Sequence, residues 1–175
     1  RSSVIGLARD MSCAIVTPDD QLLAAAESIP IHIYATTLQS RSMHNNHPDF
    51  KEGDAFLHND PYDGGTHPAD HALIVPVFYK GEHVASVTTC CHQADVGNSV
   101  PTTYMATAKD VYEEGALIFP CVRIQEHYED NKDILRMCER RIRVPENWYG
   151  DYLAAIGAAR TGEKRIQEFI EQYGL

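Results

Sequence analysis

No stretch of this sequence stays apolar for long. The most apolar run, residues 72–79, falls well short of the roughly 20 residues a membrane-spanning helix needs. Basic character is scarce as well. Fifteen Lys and Arg stand against 25 Asp and Glu, a formal net charge of −10. Arg136, Arg140, Arg141 and Arg143 are interleaved with apolar residues and Glu139, so no basic patch awaits a phosphate backbone. The charge pattern argues against nucleic acid, and the hydropathy argues against a membrane. Internal repeats and low-complexity segments are missing too.

The five cysteines, Cys13, Cys90, Cys91, Cys121 and Cys138, form an odd set with no Cys-x-x-Cys pair. Arg1-Ser2-Ser3-Val4-Ile5 lacks the apolar core and cleavage site of a secretory leader. Reduced thiols in the cytoplasm are the economical expectation. There is also no initiator Met, which leads us to expect a fragment or a processed piece.

What is present is the composition of a globular protein, 43% hydrophobic and 23% charged over 175 residues. That length suits one domain, or a fragment of one, over residues 1–175. The pattern predicts an α+β fold, strand-rich over 1–100 and helical over 101–175. Residues 12–16 and 21–26 flank the turn-forming Thr17-Pro18-Asp19-Asp20 and read as a hairpin. Residues 55–57 read as a short strand. Residues 73–78 and 83–89, joined through Lys80-Gly81, read as a second hairpin. The unbroken apolar character of 73–78 suggests burial on both faces, although Pro76 argues for a sheet edge or a bulge.

Thr102 or Thr103 can cap a helix running past Ala106, Ala108 and Val111 to Gly115. Asn131 can cap a second, with Ile134, Leu135, Cys138 and Ile142 at helical spacing before Pro145. A third pattern runs from about Asn147 to Tyr173, with Gly157 and Gly162 expected to weaken or kink it.

The chemistry concentrates in Asn59-Asp60-Pro61-Tyr62-Asp63-Gly64-Gly65-Thr66-His67-Pro68-Ala69-Asp70-His71. Paired glycines permit an unusual backbone path, and Pro68 stiffens it. A rigid loop bearing imidazole and carboxylate suits a divalent metal, because ligands must be fixed before the ion arrives. His67 and Asp70 lie three residues apart. Strand alternation puts Val84, Ser86, Thr88, Cys90 and His92 on one face. A hairpin would return His92 toward His67 and Asp70. Two imidazoles and a carboxylate leave coordination positions open and suit Mn, Fe or Zn.

Nine histidines occur in all, and His32, His44, His47, His58, His83 and His127 read as structural. Cys90 and Cys91 should point to opposite faces and serve the core. Glu113 and Glu114 read as a solvated helix face.

The run from Gly53-Asp54 through Asn59-Asp60-Pro61 to Gly64-Gly65-Thr66-His67, with Asp70 three residues on, resembles the signature of the hydantoinase B/oxoprolinase family. Arg9-Asp10-Met11-Ser12, Ile29-Pro30-Ile31-His32, Glu113-Glu114-Gly115, Arg143-Val144-Pro145 and Gly150-Asp151-Tyr152 extend the likeness over nearly the whole chain. Within that family, His92-Gln93-Ala94-Asp95-Val96-Gly97-Asn98-Ser99 is most similar to the metal-binding large subunit of acetone carboxylase and its acetophenone-carboxylating relatives. The resemblance implies manganese on His67, Asp70 and His92, and ATP held by a partner subunit of a hetero-oligomer. It also implies only part of a subunit, from its amino-terminal half.

The implied reaction carboxylates the enolate of a small ketone with carbon dioxide derived from bicarbonate. No P-loop or other Gly-rich phosphate cradle occurs here, in keeping with nucleotide binding elsewhere. His71 is a candidate to orient a ligand or exchange a proton. Asp60 and Asp95 are candidates to set histidine tautomers. The rival expectations are ATP-dependent opening of a cyclic amide, such as a hydantoin or 5-oxoproline, and a non-catalytic scaffolding chain.

Overall fold

Alternating strands and local turn chemistry account for most of the sheet seen in the computed structural model, which describes residues 2–26 and 29–175. Seven strands form one antiparallel sheet: β1 (Met11–Val16), β2 (Leu22–Ala25), β3 (Ala55–His58), β4 (Asp70–Tyr79), β5 (Glu82–His92), β6 (Val122–Glu126) and β7 (Glu129–Asp130). Their order is β2-β1-β5-β4-β3-β6-β7. Both expected hairpins form. Lys80 and Gly81 take φ of 52° and 84°, the doubly left-handed turn that matches strand twist. β4 is buried along most of its length, as its continuous apolar character suggests. Pro76 sits in an interior strand, but only residues up to Ile74 pair with short β3, so its missing N–H breaks no ladder there.

Among the described residues, a short π-helix (Val4–Ala8) and four α-helices complete the elements: α1 (Pro30–Asn46), α2 (Val111–Glu114), α3 (Lys132–Arg141) and α4 (Pro145–Tyr173). α4 covers one sheet face, where Trp148, Tyr152, Ala155, Ile156 and Ala159 meet Leu57, Leu73, Val75, Val87 and Cys91. α1 covers the other, with Met43 against Phe56, Ile74 and Cys121. Among the described residues, no helix is long and apolar enough to cross a membrane.

α1 departs from the strand-rich expectation for residues 1–100. Its buried residues are His32, Ala35, Thr36, Gln39, Ser40, Ser42 and Met43, which have helical spacing but little hydrophobicity. Hydrophobic periodicity therefore has little to detect. The helix expected from Thr102 or Thr103 is a single turn instead. Asp110 caps it by accepting from Tyr112 N and Glu113 N, and Gly115 ends it as expected. Asn131 caps α3 as its sequence predicts. The β6–β7 hairpin lies inside the span expected to be helical. α4 runs unbroken through Gly157 and Gly162. At Gly162 an added Cβ would meet Val87 Cγ1 at 2.9 Å, so this glycine lets the helix approach β5 closely.

Candidate metal centre

Asn59 organises the loop that carries the first ligand candidates. It is fully buried, and its amide donates to the carbonyls of Pro68 (2.6 Å) and Leu117 (2.9 Å). Its side-chain oxygen accepts from Phe119 N at 2.6 Å. One side chain thus ties both ends of the loop to the segment entering β6. The two glycines are steric requirements. Gly64 has φ of 90° and lies where a Cβ would come 2.6 Å from Leu38 Cβ on α1. A Cβ on Gly65 would come 2.6 Å from the Asp60 carbonyl oxygen, to which Gly65 N donates. Ser42 on α1 donates to Asp63, fixing the loop against that helix.

The loop feeds directly into β4, whose first residue, Asp70, pairs in register with His92 at the end of β5. Cross-strand partners share a face, so this register brings together what the sequence separates by 22 residues. Asp70 is buried and saturated. Its Oδ1 lies 2.9 Å from His92 Nδ1, and its Oδ2 lies 3.1 Å from His32 Nε2 and 3.2 Å from His67 Nε2. Thr66 also donates to Oδ2. Burial alone would raise the Asp70 pKa. The hydrogen bonds from His32, His92 and Thr66, with the nearby His67, outweigh it and hold the carboxyl well below its usual range. Burial lowers the His67 pKa, against the opposing pull of Asp70. An ionised carboxylate beside a neutral imidazole is the protonation state a metal requires.

Among the described residues, two donor sets are close enough to hold an ion. In each, His67, Asp70 and His92 or His32, Asp70 and Cys90, the donor atoms lie within 4.8 Å of one another. The second set is buried at all three residues, with no flank open to a substrate, and burial raises the Cys90 thiol above its ordinary pKa. The first set fits a borderline divalent ion such as Mn, Fe or Zn, with nitrogen and oxygen donors and a partly exposed flank at His67.

The remaining site candidates have other partners. His71 follows Asp70 on a strand and so faces the opposite side. Its Nδ1 accepts from Trp148 Nε1 at 3.2 Å, and complete burial lowers its pKa to about 3. The expected orienting or proton-exchanging role at the metal does not fit that place. Asp60 accepts from Tyr62 N and shapes the loop. Asp95 accepts from Gly97 N and from the backbone and guanidinium of Arg143. These contacts are to loop backbone and arginine, so the expected setting of histidine tautomers by Asp60 and Asp95 is not what the structure presents.

Three residues at the cluster escaped sequence reasoning. His32, read as structural, spans Ser12 Oγ and Asp70. The Pro30-Ile31-His32 segment of the resemblance was the available signal. Thr103 and Tyr104 come from the irregular segment before α2. Thr103 Oγ1 lies 2.5 Å from His92 Nε2, and the Tyr104 ring stands edge-on to His67 and His92 at centroid distances of 5.9 and 6.4 Å. Thr103 is expected only as a helix cap, and the resemblance includes Pro101-Thr102-Thr103-Tyr104, but no spacing ties either residue to the cluster. Glu113 and Glu114, expected to be a solvated face, brace that segment: Lys109 N donates to Glu113 Oε2, and Ser99 N to the Glu114 carbonyl.

The family model for hydantoinase B/oxoprolinase matches residues 1–175. A D-/L-hydantoinase subunit from Pseudomonas sp. (strain NS671) is 34% identical over 99% of the chain and 30% of its own length. The crystal structure of the ATP-dependent caprolactamase from Pseudomonas jessenii is 31% identical with a TM-score of 0.87, covering 95% of this chain and 29% of the caprolactamase chain. Nucleotide-free acetone carboxylase shares the fold, with a TM-score of 0.93 at 21% identity over 99% of this chain and 23% of its own. The chain thus spans about 30% of the length of the curated hydantoinase it matches.

Proposed function

The chain belongs to the hydantoinase B/oxoprolinase family, and from that premise we propose that it carries the metal centre of an ATP-dependent enzyme acting on a small carbonyl compound. The observation that carries this reading is the convergence of His67 and His92 on the buried Asp70 carboxylate. A divalent metal held by these three residues, with manganese the first candidate, supplies Lewis-acid stabilisation of negative charge developing on a carbonyl oxygen.

The protein's own groups prepare that centre. Thr66 and His32 donate to Asp70 and hold its carboxylate in one orientation. α1 and β4 seal the inner side of the cluster, while His67 and Tyr104 remain partly open to an approaching substrate.

In the finer reading, the substrate is a small ketone, carboxylated as its enolate with carbon dioxide from bicarbonate. The residues from His92 to Ser99 support it by their resemblance to the large subunit of acetone carboxylase. A second reading, ATP-dependent opening of a cyclic amide, draws on the 31–34% identity to a caprolactamase and a hydantoinase. In both, the chain acts within a hetero-oligomer in which a different polypeptide holds ATP. Relatives that are themselves subunits of larger enzymes support that assembly.

Labelled bicarbonate, ATP and a panel of ketones, set beside hydantoin, 5-oxoproline and caprolactam, test both readings in the purified assembly. Label fixed into acid-stable product supports the carboxylase. ATP-dependent ring opening without fixed label supports the hydrolase. Metal analysis comes first: about one equivalent of a first-row ion per chain, lost in His67→Ala, Asp70→Ala and His92→Ala, is expected. An equivalent retained in all three refutes the site.

A further inference from the structure

We propose that the face of β1 and β2 beside α4 seats one further α-helix, apolar on the side it presents, from the polypeptide that corresponds to the remaining length of the curated relatives. The metal centre plays no part in this.

A sheet buries its apolar faces by layering other elements on them. Here the strand order begins β2-β1-β5-β4. α1 packs on β1 and β2 from one side, while α4 lies over β4 and β5 on the other. β1 and β2 thus project past α4. Among the described residues, the π-helix reaches only one end of their bare face, at Ile5 and Gly6. Two strands at the usual spacing span about 10 Å, which is the breadth of one helix with its side chains, about 10–12 Å.

The uncovered surface is apolar. Ile15 of β1 pairs with Ala24 of β2, so the two share a face, and Cys13 lies two residues from Ile15 on the same side. Across from them stand Ala154, Ala158 and Gly162 of α4. Between the strands and the helix run two adjoining hollows of about 360 and 230 Å3, which share Cys13, Thr89 and Ala158.

The sequence of α4 agrees. Residues 152–159 carry no charge, although Leu153 is 47% exposed and Ala158 is exposed with it. A solvent-facing helix surface ordinarily carries charged and polar side chains. Ala154, Ala158 and Gly162 recur every fourth residue. That ridge of small groups lets a second helix approach to the ordinary interaxial distance of about 8–10 Å. β2 adds exposed Leu22 and Leu23 at the sheet edge, apolar surface that a solitary edge strand ordinarily avoids.

Hollows lined by Ala, Gly and Cys are filled by large side chains, so the incoming helix presents Leu, Ile, Met or Phe at helical spacing. A second copy of this chain would bring the same ridge of Ala and Gly, which fills nothing. Length indicates the source. The chain matches 30% of the hydantoinase subunit and 29% of the caprolactamase chain, so most of each of those proteins lies outside the matched part and is long enough to supply the helix.

The test places the photoreactive residue p-benzoylphenylalanine at Met11, which borders the larger hollow and is 40% exposed, in the purified assembly. Irradiation and peptide mass spectrometry should give one dominant crosslink. It should reach a segment with helical apolar spacing, in the polypeptide corresponding to the rest of the relatives' length. Crosslinks to a second copy of this chain or to the polypeptide that holds ATP, or no crosslink at all, overturn the proposal.

Two variants check that the groove itself is the seat. Ala158→Trp fills it from an exposed position, and Lys164→Trp puts the same bulk on an exposed part of α4 outside it. The first should cut the Met11 crosslink about tenfold or more, because an overpacked contact is disfavoured, and the second should leave it unchanged. A crosslink that Ala158→Trp leaves intact, or that both variants lose alike, also overturns the proposal.

Discussion

Replacing Asn59 probes whether the loop at the metal centre is held as the geometry says. Asn59→Ala removes three hydrogen bonds and leaves the Pro68 and Leu117 carbonyls and the Phe119 N–H without their partner. Each buried backbone group stranded in this way costs about 1–3 kcal/mol. The Leu117 contact is only partly buried and can recruit water, whereas those to Pro68 and Phe119 are enclosed. A total loss of about 3–5 kcal/mol follows, a large share of the roughly 5–15 kcal/mol typical of a domain. Urea unfolding with an unchanged denaturant slope measures it.

Asn59→Asp sharpens the test. At neutral pH it sets a carboxylate oxygen against two carbonyls that Asn59 reaches at 2.6 and 2.9 Å, while the bond from Phe119 N survives. The folded state then favours the protonated acid and raises its pKa above the unfolded value of about 3.9. The deficit of the Asp variant should therefore grow as pH rises from about 4 and shrink below it. Loss of less than about 1 kcal/mol in Asn59→Ala, or a deficit in Asn59→Asp that ignores pH, would refute the account.

Other substitutions have equally definite signs. Gly65→Ala drives a Cβ to 2.6 Å from the Asp60 carbonyl and 2.8 Å from two backbone carbons. It should cost about 1–3 kcal/mol in unfolding measurements and weaken metal binding with it. Gly157→Ala, in the interior of α4 with no heavy atom within 4 Å of the new Cβ, should instead stabilise by about 0.5–1 kcal/mol. Burial, with the neighbouring His44, lowers the His83 pKa to about 4. The unfolded chain then binds the proton more readily, so this contribution is intact above about pH 6.5 and is lost as pH falls toward 4. His83→Phe, which suits the ring cluster with Phe50 and Phe78, should make stability fall less steeply over that interval. Parallel pH curves for the two proteins would count against it.

Features that depend on near neighbours are legible in the residues alone. Turn chemistry at Lys80-Gly81 sets the β4–β5 hairpin, and period-two alternation puts Cys90 and His92 on one face with Cys91 on the other. The density of His, Asp and Gly around Gly64-Gly65 marks the loop, so His67, Asp70 and His92 can be named before their register is known. Asn131 announces the start of α3.

Long-range packing settles the rest, because a polar side chain's role is set by what lies against it. The sheet-facing stripe of α1 is polar, which hides the helix and gives no sign that His32 reaches Asp70, 38 residues away. His71 sits beside Asp70 in sequence, yet strand pleating sends it to Trp148 on the opposite face. Asp95 meets Arg143 across 48 residues instead of a histidine, and Thr103 meets His92 from a segment with no regular structure. Spacing identifies the groups able to bind a metal. Only the fold of β4 against β5, α1 and the segment before α2 determines which of them converge on the Asp70 carboxylate.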